Sequence, residues 1–277
     1  MTEATCDICA GDAFADETLV IDAAYQRRQH GFCDIAPSVY GDRVDPTFLA
    51  RRPIPMNVEM MQSRHPDCGY VHVIQRIVQV APVRLGEALV LRGRVTAVEP
   101  VARCWMVKSE FHLTRADGAL AVTVLPEILL ADRARMEAPG NRPGAHKDKP
   151  RAASAEDSGF EVLTTRQCTP EATLGYCEGS TNLIHLDPDY AREYGFRAPI
   201  IAGNQTINFL MEGLAADGPP DSLDATIRFR RPVFWDDALT VTGRRAAGED
   251  DHTRLRELRA RNAHGKIVAE CRIDSLG

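Results

Sequence analysis

The chain has 277 residues, 44% of them apolar, and a formal net charge of −6. This length allows one large domain or two of ordinary size. The acidic balance argues against nucleic-acid and membrane-surface binding, and no apolar run approaches the roughly 18 residues of a membrane span. The acidic N-terminus lacks the features of a secretory signal. We therefore expect a soluble, cytoplasmic protein without nucleic-acid or membrane partners.

Eight cysteines raise the question of disulfides or a metal site. Only Cys6 and Cys9 have the spacing of metal ligands, and no second pair accompanies them. Several of the others stand in apolar, strand-like segments, which favours reduced thiols. We expect no metal and no other cofactor, and a zinc site at Cys6 and Cys9 is the minor alternative.

The first half predicts helices followed by strands. After a polar lead-in over residues 1–20, helices are expected near 22–29, from Asp45-Pro46 onward, and over 54–62. From residue 69 the sequence alternates and is rich in β-branched side chains, which predicts four strands up to residue 132. The segment 116–118 predicts the hairpin turn between the last two of them.

A repeat divides the chain. Residues 136–159 are dense in Pro, Gly, Ala and charge, which predicts a linker between a domain at 1–135 and a domain at 160–277. APVRLGEALVLRGR (81–94) matches RPVFWDDALTVTGR (231–244), with six identities in the 13 positions from 82 to 94. Each half then has helices followed by a meander of antiparallel strands. This predicts an α+β fold of two helix-on-sheet units, side by side, which bury each other's edges.

The segment 176–214 is the candidate functional region. His185 stands just before Asp187-Pro188, which has the residue types of an N-cap and a first helical position. An apolar helix is expected from about residue 199. Ala202-Gly203, near its start, would present free N–H groups to a developing negative charge.

These residues resemble the signature of the MaoC-like, (R)-specific enoyl-CoA hydratase/dehydratase family. That signature reads roughly Gly-Asp-x-Asn-Pro-x-His, then Asp-Pro, a short helix and a Pro-Ile-x-His-Gly turn. Here the first part is Gly-Ser-Thr-Asn-Leu-Ile-His at 179–185, and the turn is Pro-Ile-Ile-Ala-Gly at 199–203. The resemblance covers the second half, including RFRRPVFWDDAL at 228–239. It implies a hot-dog fold, and with the repeat it implies a double hot-dog chain whose N-terminal copy is degenerate.

Position by position, the resemblance implies roles for several residues. His185 would be the catalytic histidine, Asn182 would shape its loop, and Gly203 would donate its backbone N–H to an oxyanion. Ala202 stands where the family has the histidine of the later turn. We expect Ala202 to contact substrate.

The family's catalytic aspartate is Ser180 in this chain. A serine hydroxyl can orient a water but cannot accept a proton as a carboxylate does. One alternative is that Glu178 takes the aspartate's role, if the chain bends at Gly179. Another is that His185 acts alone, which would suit isomerisation or elimination next to a thioester.

The remaining candidates are basic residues. Arg228, Arg230 and Arg231 suit the phosphates of coenzyme A, although arginines on strands are usually solvated. In the first half, His65 and His72 are expected to be packing or surface residues.

The expected function is a hydratase/dehydratase-type lyase that acts on an enoyl or 3-hydroxyacyl thioester of CoA or an acyl carrier. The expected assembly is a homodimer or a pair with another hot-dog chain. Two alternatives stay open. Ser180 and Ala202 favour a non-catalytic subunit that binds acyl thioesters, and Glu178 would serve a thioesterase or isomerase on the same fold.

Overall fold

Helices precede strands in each half of the chain. The computed structural model describes residues 6–101, 104–132, 158–246 and 254–277. The helices are α1 (Ala23–Gly31), α2 (Pro46–Arg51), α3 (Pro53–Arg64), α4 (Pro170–Tyr176), α5 (Pro188–Glu193) and α6 (Gly203–Leu214). Short 3₁₀ turns cover Pro37–Val39, Leu183–His185 and Ala215–Asp217. The strands are β1 (Glu17–Val20), β2 (Cys68–Gln79), β3 (Ala88–Val101), β4 (Cys104–Thr114), β5 (Leu120–Asp132), β6 (Phe160–Gln167), β7 (Leu223–Phe229), β8 (Ala238–Arg245), β9 (Leu255–Asn262) and β10 (Ile267–Leu276).

The described strands join one antiparallel sheet in the order β1-β3-β4-β5-β2-β7-β10-β9-β8-β6. Strands of the first half occupy one side and those of the second half the other. They meet at the centre, where β2 pairs with β7 from Ile74 opposite Arg228 to Gln79 opposite Leu223. This pairing removes one free edge from each half. The predicted α+β layering of helices on an antiparallel sheet is confirmed.

The sequence repeat extends to the positions of the elements. Strands β3 and β8 begin at Ala88 and Ala238, which are 150 positions apart. Helices α3 and α6 begin at Pro53 and Gly203, again 150 positions apart. The two halves are therefore copies of one helix-on-sheet unit, and Pro53 is the counterpart of Gly203.

Two strands lie where the sequence pattern did not indicate them. Residues 1–20 were expected to be a polar lead-in, but Glu17–Val20 forms β1 along β3. At the opposite end of the sheet, Phe160–Gln167 forms β6 along β8. Both are outermost strands, whose side chains are largely accessible to solvent, so their apolar alternation is weak.

The apolar helix also begins later than expected, at Gly203 rather than near residue 199. The preceding residues are extended because they pair with the chain that leads into β8. Ile200 forms an isolated bridge with Phe234, and Ile201 N donates to Val233 O at 2.9 Å. The start of α6 is thereby fixed against the sheet.

Most of the predicted linker, from 136 to 157, lies outside the described residues, and the domain boundaries 1–135 and 160–277 stay a prediction. All eight cysteines lie in the described ranges, and none of them forms a disulfide. Among the described residues, no group of three or more His, Cys, Asp or Glu side chains is placed to bind a metal. No helix in the described ranges is long and apolar enough to cross a membrane.

Helix α6 is tied to the first half by buried polar contacts. Asn208 donates to Asp45 Oδ2 at 2.8 Å and accepts from the Tyr176 hydroxyl at 2.6 Å. The same carboxylate contacts His30 Nε2 at 3.0 Å, and both of those side chains are at most 2% exposed. Buried polar groups are costly unless they are bonded. These contacts therefore fix where α6, and its first residue, can lie.

Candidate active site

The loop that carries His185 is shaped by Asn182. This residue caps the 3₁₀ turn Leu183–His185, since its Oδ1 accepts from Ile184 N at 3.4 Å. With Oδ1 used in this way, the amide nitrogen Nδ2 lies 3.3 Å from His185 Nε2. The expected loop-shaping position of Asn182 thus has a geometric basis.

The hydrogen bonds of His185 define its tautomer. Its Nδ1 lies 2.8 Å from the carbonyl oxygen of Ile200. Because a carbonyl only accepts, Nδ1 carries the hydrogen and Nε2 has the lone pair. Burial lowers the pKa of His185, and the bond to Ile200 offsets this only in part. The half-buried ring is therefore neutral near pH 7 and can accept a proton at Nε2.

Two hydrogen bonds, one donated from each side, join the His185 loop to the turn at 199–203. Besides the bond from His185 to Ile200 O, Ile200 N donates to Ile184 O at 3.2 Å. The turn is itself bound to the sheet through Ile201. Helix α5 lies between these two segments in the sequence, and the hydrogen bonds bring His185 close to the start of α6.

Helix α6 opens with two donors directed out of its N-terminus. Ala202 is the N-cap and has no side-chain cap, and its carbonyl accepts from Gln205 N at 2.9 Å. The N–H groups of Gly203 and Asn204 precede that bond, so the helix offers them no acceptor. Donors placed in this way at a helix N-terminus can stabilise negative charge on an oxygen.

Residue 203 leaves little space for a side chain. A Cβ at Gly203 would lie 3.2 Å from Phe229 Cζ and 3.4 Å from His72 Nδ1. The two rings also contact each other, with centroids 4.9 Å apart. Glycine therefore permits a close approach here. We expected His72 to be a packing or surface residue. It packs against Gly203 at the start of α6, and strand periodicity did not indicate this neighbour.

Ser180 and Glu178, the two candidates for the role of the family's aspartate, have different surroundings in the structure. Ser180 Oγ accepts from Asn182 N at 3.1 Å and so supports the His185 loop. Glu178 is exposed and lies 3.5 Å from Arg28. Between them, Gly179 has a φ of +78°, which turns the chain. Compensation by Glu178 stays a prediction, and the geometry gives it no support.

The three arginines are exposed. Arg230 pairs with Glu270 at 2.7 Å, and Arg231 donates to Ile267 O at 2.6 Å. Arg228 and Arg230 alternate along the chain with Phe229, the residue that faces Gly203, and therefore project from the other face of the sheet. Their expected role in binding phosphates stays a prediction.

The first half lacks the corresponding donors. At the counterpart of Gly203 it has Pro53, which has no N–H. Helix α2 also runs into α3 through Arg52, which has helical backbone angles, so no extended turn precedes α3. The chain is thus a duplicated helix-on-sheet protein with one candidate site, in the second half.

Comparisons with known proteins agree with this class. Residues 151–266 match the family model described as MaoC like domain. A solved MaoC-like dehydratase has a TM-score of 0.75 at 16% identity, covering 95% of this chain and 98% of that chain. HtdX from Mycobacterium tuberculosis has a TM-score of 0.66 at 21% identity, covering 93% and 97%. Another Mycobacterium tuberculosis protein, described as having a double hotdog fold, has a TM-score of 0.58 at 13% identity and covers 96% of each chain.

No curated protein matches the chain significantly. The identities to these solved structures are below 25%, so those likenesses show the fold. The predicted double hot-dog fold is confirmed. The resemblance to the MaoC-like family is confirmed by the match of residues 151–266 to the model described as MaoC like domain.

Proposed function

We propose that this protein is a hydratase/dehydratase-type lyase. It adds water to an enoyl thioester or removes water from a 3-hydroxyacyl thioester, with CoA or an acyl carrier as the thiol. The observation that carries this proposal is the state of His185: a neutral imidazole, fixed through Ile200, beside the uncapped start of α6. A base and an oxyanion site next to each other are what this reaction requires.

The chemistry follows from these two groups. As the water oxygen bonds to C3 of the enoyl chain, the π electrons move to C2 and negative charge develops on the thioester oxygen. The N–H groups of Gly203 and Asn204 donate to that oxygen. His185 Nε2 takes one proton from the water and returns it to C2, so a single base suffices and one water is added. This route suits a site with serine at position 180.

A second candidate is an acyl-thioester-binding subunit without turnover. It is supported by Asn182, whose amide contacts Nε2, the atom that a base needs free. The distance of 3.3 Å is long for a hydrogen bond, so a water could replace this contact at little cost. The thioesterase alternative depended on Glu178, which lies beside Arg28 instead.

Substitution of His185 tests the proposal. Turnover of a panel of enoyl-CoA esters should fall by about 10²- to 10⁴-fold in His185→Ala, because the base is removed. His264→Ala is the matched control, since His264 lies exposed in the β9–β10 hairpin. Unchanged turnover in His185→Ala would contradict the assignment. Binding without turnover by the unaltered protein would favour the second candidate, and release of free thiol would favour a thioesterase.

The proposal extends to organisation and location. We propose a degenerate N-terminal unit at 1–135, a C-terminal unit with the site at 160–277, and a cytoplasmic homodimer or pair with another hot-dog chain. The two outermost strands, β1 and β6, support an assembly because a sheet edge can pair with another chain. Analytical ultracentrifugation measures the assembly directly.

A further inference from the structure

Strand β2 brings a second histidine to the candidate site from the first half of the chain. His72 lies on β2, and its Nδ1 is the ring atom next to Gly203, 3.4 Å from where a Cβ would be. Phe229 of the second half packs on the same ring. The start of α6 is therefore lined by side chains of both halves.

The state of the His72 ring follows from its other contacts. Its Nε2 lies 3.1 Å from the carbonyl oxygen of Ile74, so Nε2 carries the hydrogen. Burial lowers the pKa of His72 to about 4, and the hydrogen bond to Ile74 opposes this only in part. The ring is neutral near pH 7, and the atom that faces Gly203 is an unprotonated nitrogen with a lone pair.

A second acceptor belongs to the same helix start. Asn204 follows Gly203 and is 8% exposed. Among the described residues, its Oδ1 has no hydrogen-bond partner. Buried acceptors without donors are uncommon in folded proteins. Asn204 Oδ1 has no donor, and His72 Nδ1 has a lone pair next to Gly203, so residues at this helix start offer acceptors to a ligand that brings hydrogen-bond donors.

We propose that His72 Nδ1 accepts a hydrogen bond from the C3 hydroxyl of a 3-hydroxyacyl thioester, or from the water that becomes this hydroxyl. The inference rests on the proposed function. If the thioester oxygen lies at the N–H groups of Gly203 and Asn204, the C3 hydroxyl is the nearest donor on the acyl chain. A saturated acyl chain has no donor there. His72 is then a substrate-contact residue that distinguishes hydroxyacyl from saturated thioesters, and one site is built from both halves.

Two substitutions separate the ring nitrogens. In His72→Gln the amide NH₂ takes the place of Nε2–H, so the donor to Ile74 is kept and the acceptor facing Gly203 is lost. In His72→Asn the side-chain amide takes the place of Nδ1, so a polar atom remains near Gly203 and the bond to Ile74 is lost. A merely structural role of His72 would make the Asn variant the more damaged of the two in every assay.

The test is calorimetric binding in a His185→Ala background, which blocks turnover. The ligands are a 3-hydroxyacyl-CoA and the saturated acyl-CoA of the same chain length. We expect His72→Gln to weaken binding of the hydroxyacyl ester by about three- to tenfold, as for one lost hydrogen bond, and to leave the saturated ester unchanged. His72→Asn should retain part of the preference for the hydroxyacyl ester.

Other outcomes are distinct. Equal weakening for both esters, or no change for either in His72→Gln, would overturn the role of His72 while leaving the proposed function standing. If the His185→Ala protein binds neither ester, and the unaltered protein does not turn over any enoyl ester, the proposed function fails and this inference fails with it. Circular dichroism of each variant confirms that the fold is intact.

Discussion

Acidification should destabilise this protein through His72. The pKa of His72 is lowered from 6.5 to about 4 because the ring is buried. The unfolded chain therefore binds a proton near pH 6.5 that the folded chain accepts only near pH 4. Because the pKa is lower in the folded state, the contribution of His72 to the free energy of unfolding is fully present above pH 6.5. It is lost as the pH falls below that value.

The magnitude can be worked from these two values. One pKa unit corresponds to about 1.4 kcal/mol, so the whole difference amounts to about 3 kcal/mol once both states are protonated. At pH 5 the unfolded ring is almost fully protonated, whereas the folded ring is still mainly neutral. Between pH 7 and pH 5, His72 alone should therefore lower the free energy of unfolding by about 2 kcal/mol.

Urea denaturation of the unaltered protein and of His72→Gln, each at pH 7 and pH 5, isolates this effect. Glutamine does not titrate, and the other ionisable groups are common to both proteins. From pH 7 to pH 5, the free energy of unfolding should fall by about 2 kcal/mol more in the unaltered protein than in His72→Gln. A value below about 0.5 kcal/mol would show that the folded ring is protonated more readily than its burial indicates. In that case Nδ1 would not be the free acceptor that the further inference requires.

Three more predictions concern the helix start, the loop and the core. Gly203→Ala should lower turnover about tenfold in steady-state kinetics because a ring must shift at the oxyanion turn, whereas Gly213→Ala, similarly crowded at the far end of α6, should affect stability only. Ser180→Asp keeps an acceptor for the loop and adds a carboxylate, so measured hydration should rise by about 10- to 100-fold, and no gain would favour a different chemistry. Asn208→Leu leaves the buried Asp45 carboxylate one donor short and should cost about 2–4 kcal/mol in urea denaturation.

The parts of the fold that the sequence predicted depend on local signals. Asp45-Pro46 predicted a helix start and Asp187 an N-cap, because a short acidic side chain before proline satisfies free N–H groups, and both aspartates accept such bonds in the structure. The central strands were recognised from alternation, and the duplication from a run of matching letters. Each of these signals lies within a few residues of the feature that it predicts.

The position of His72 depends on a contact that no local signal contains. Strand alternation places His72 on the same face as Ile74 and Arg76, which faces away from the helices. In the structure, the register between β2 and β5 shifts between His72 and Ile74. This bulge inverts the alternation, so His72 shares the helix-facing side with Gln75 and Ile77. Its neighbour Gly203 is, moreover, far away in the sequence, in the other half.

The two halves have the same elements but differ at the start of the second long helix. In the first half, Pro53 has no N–H, and the preceding helix continues into α3 without a break. In the second half, the extended turn 199–202 separates α5 from α6 and leaves the N–H of Gly203 free. Only one half can therefore present donors to an oxyanion. The first half still supplies β2, whose His72 lies at the other half's helix start. The family model matches only residues 151–266. This is consistent with a first half that keeps the fold and contributes His72 next to Gly203, but lacks the sequence motif found at 179–203.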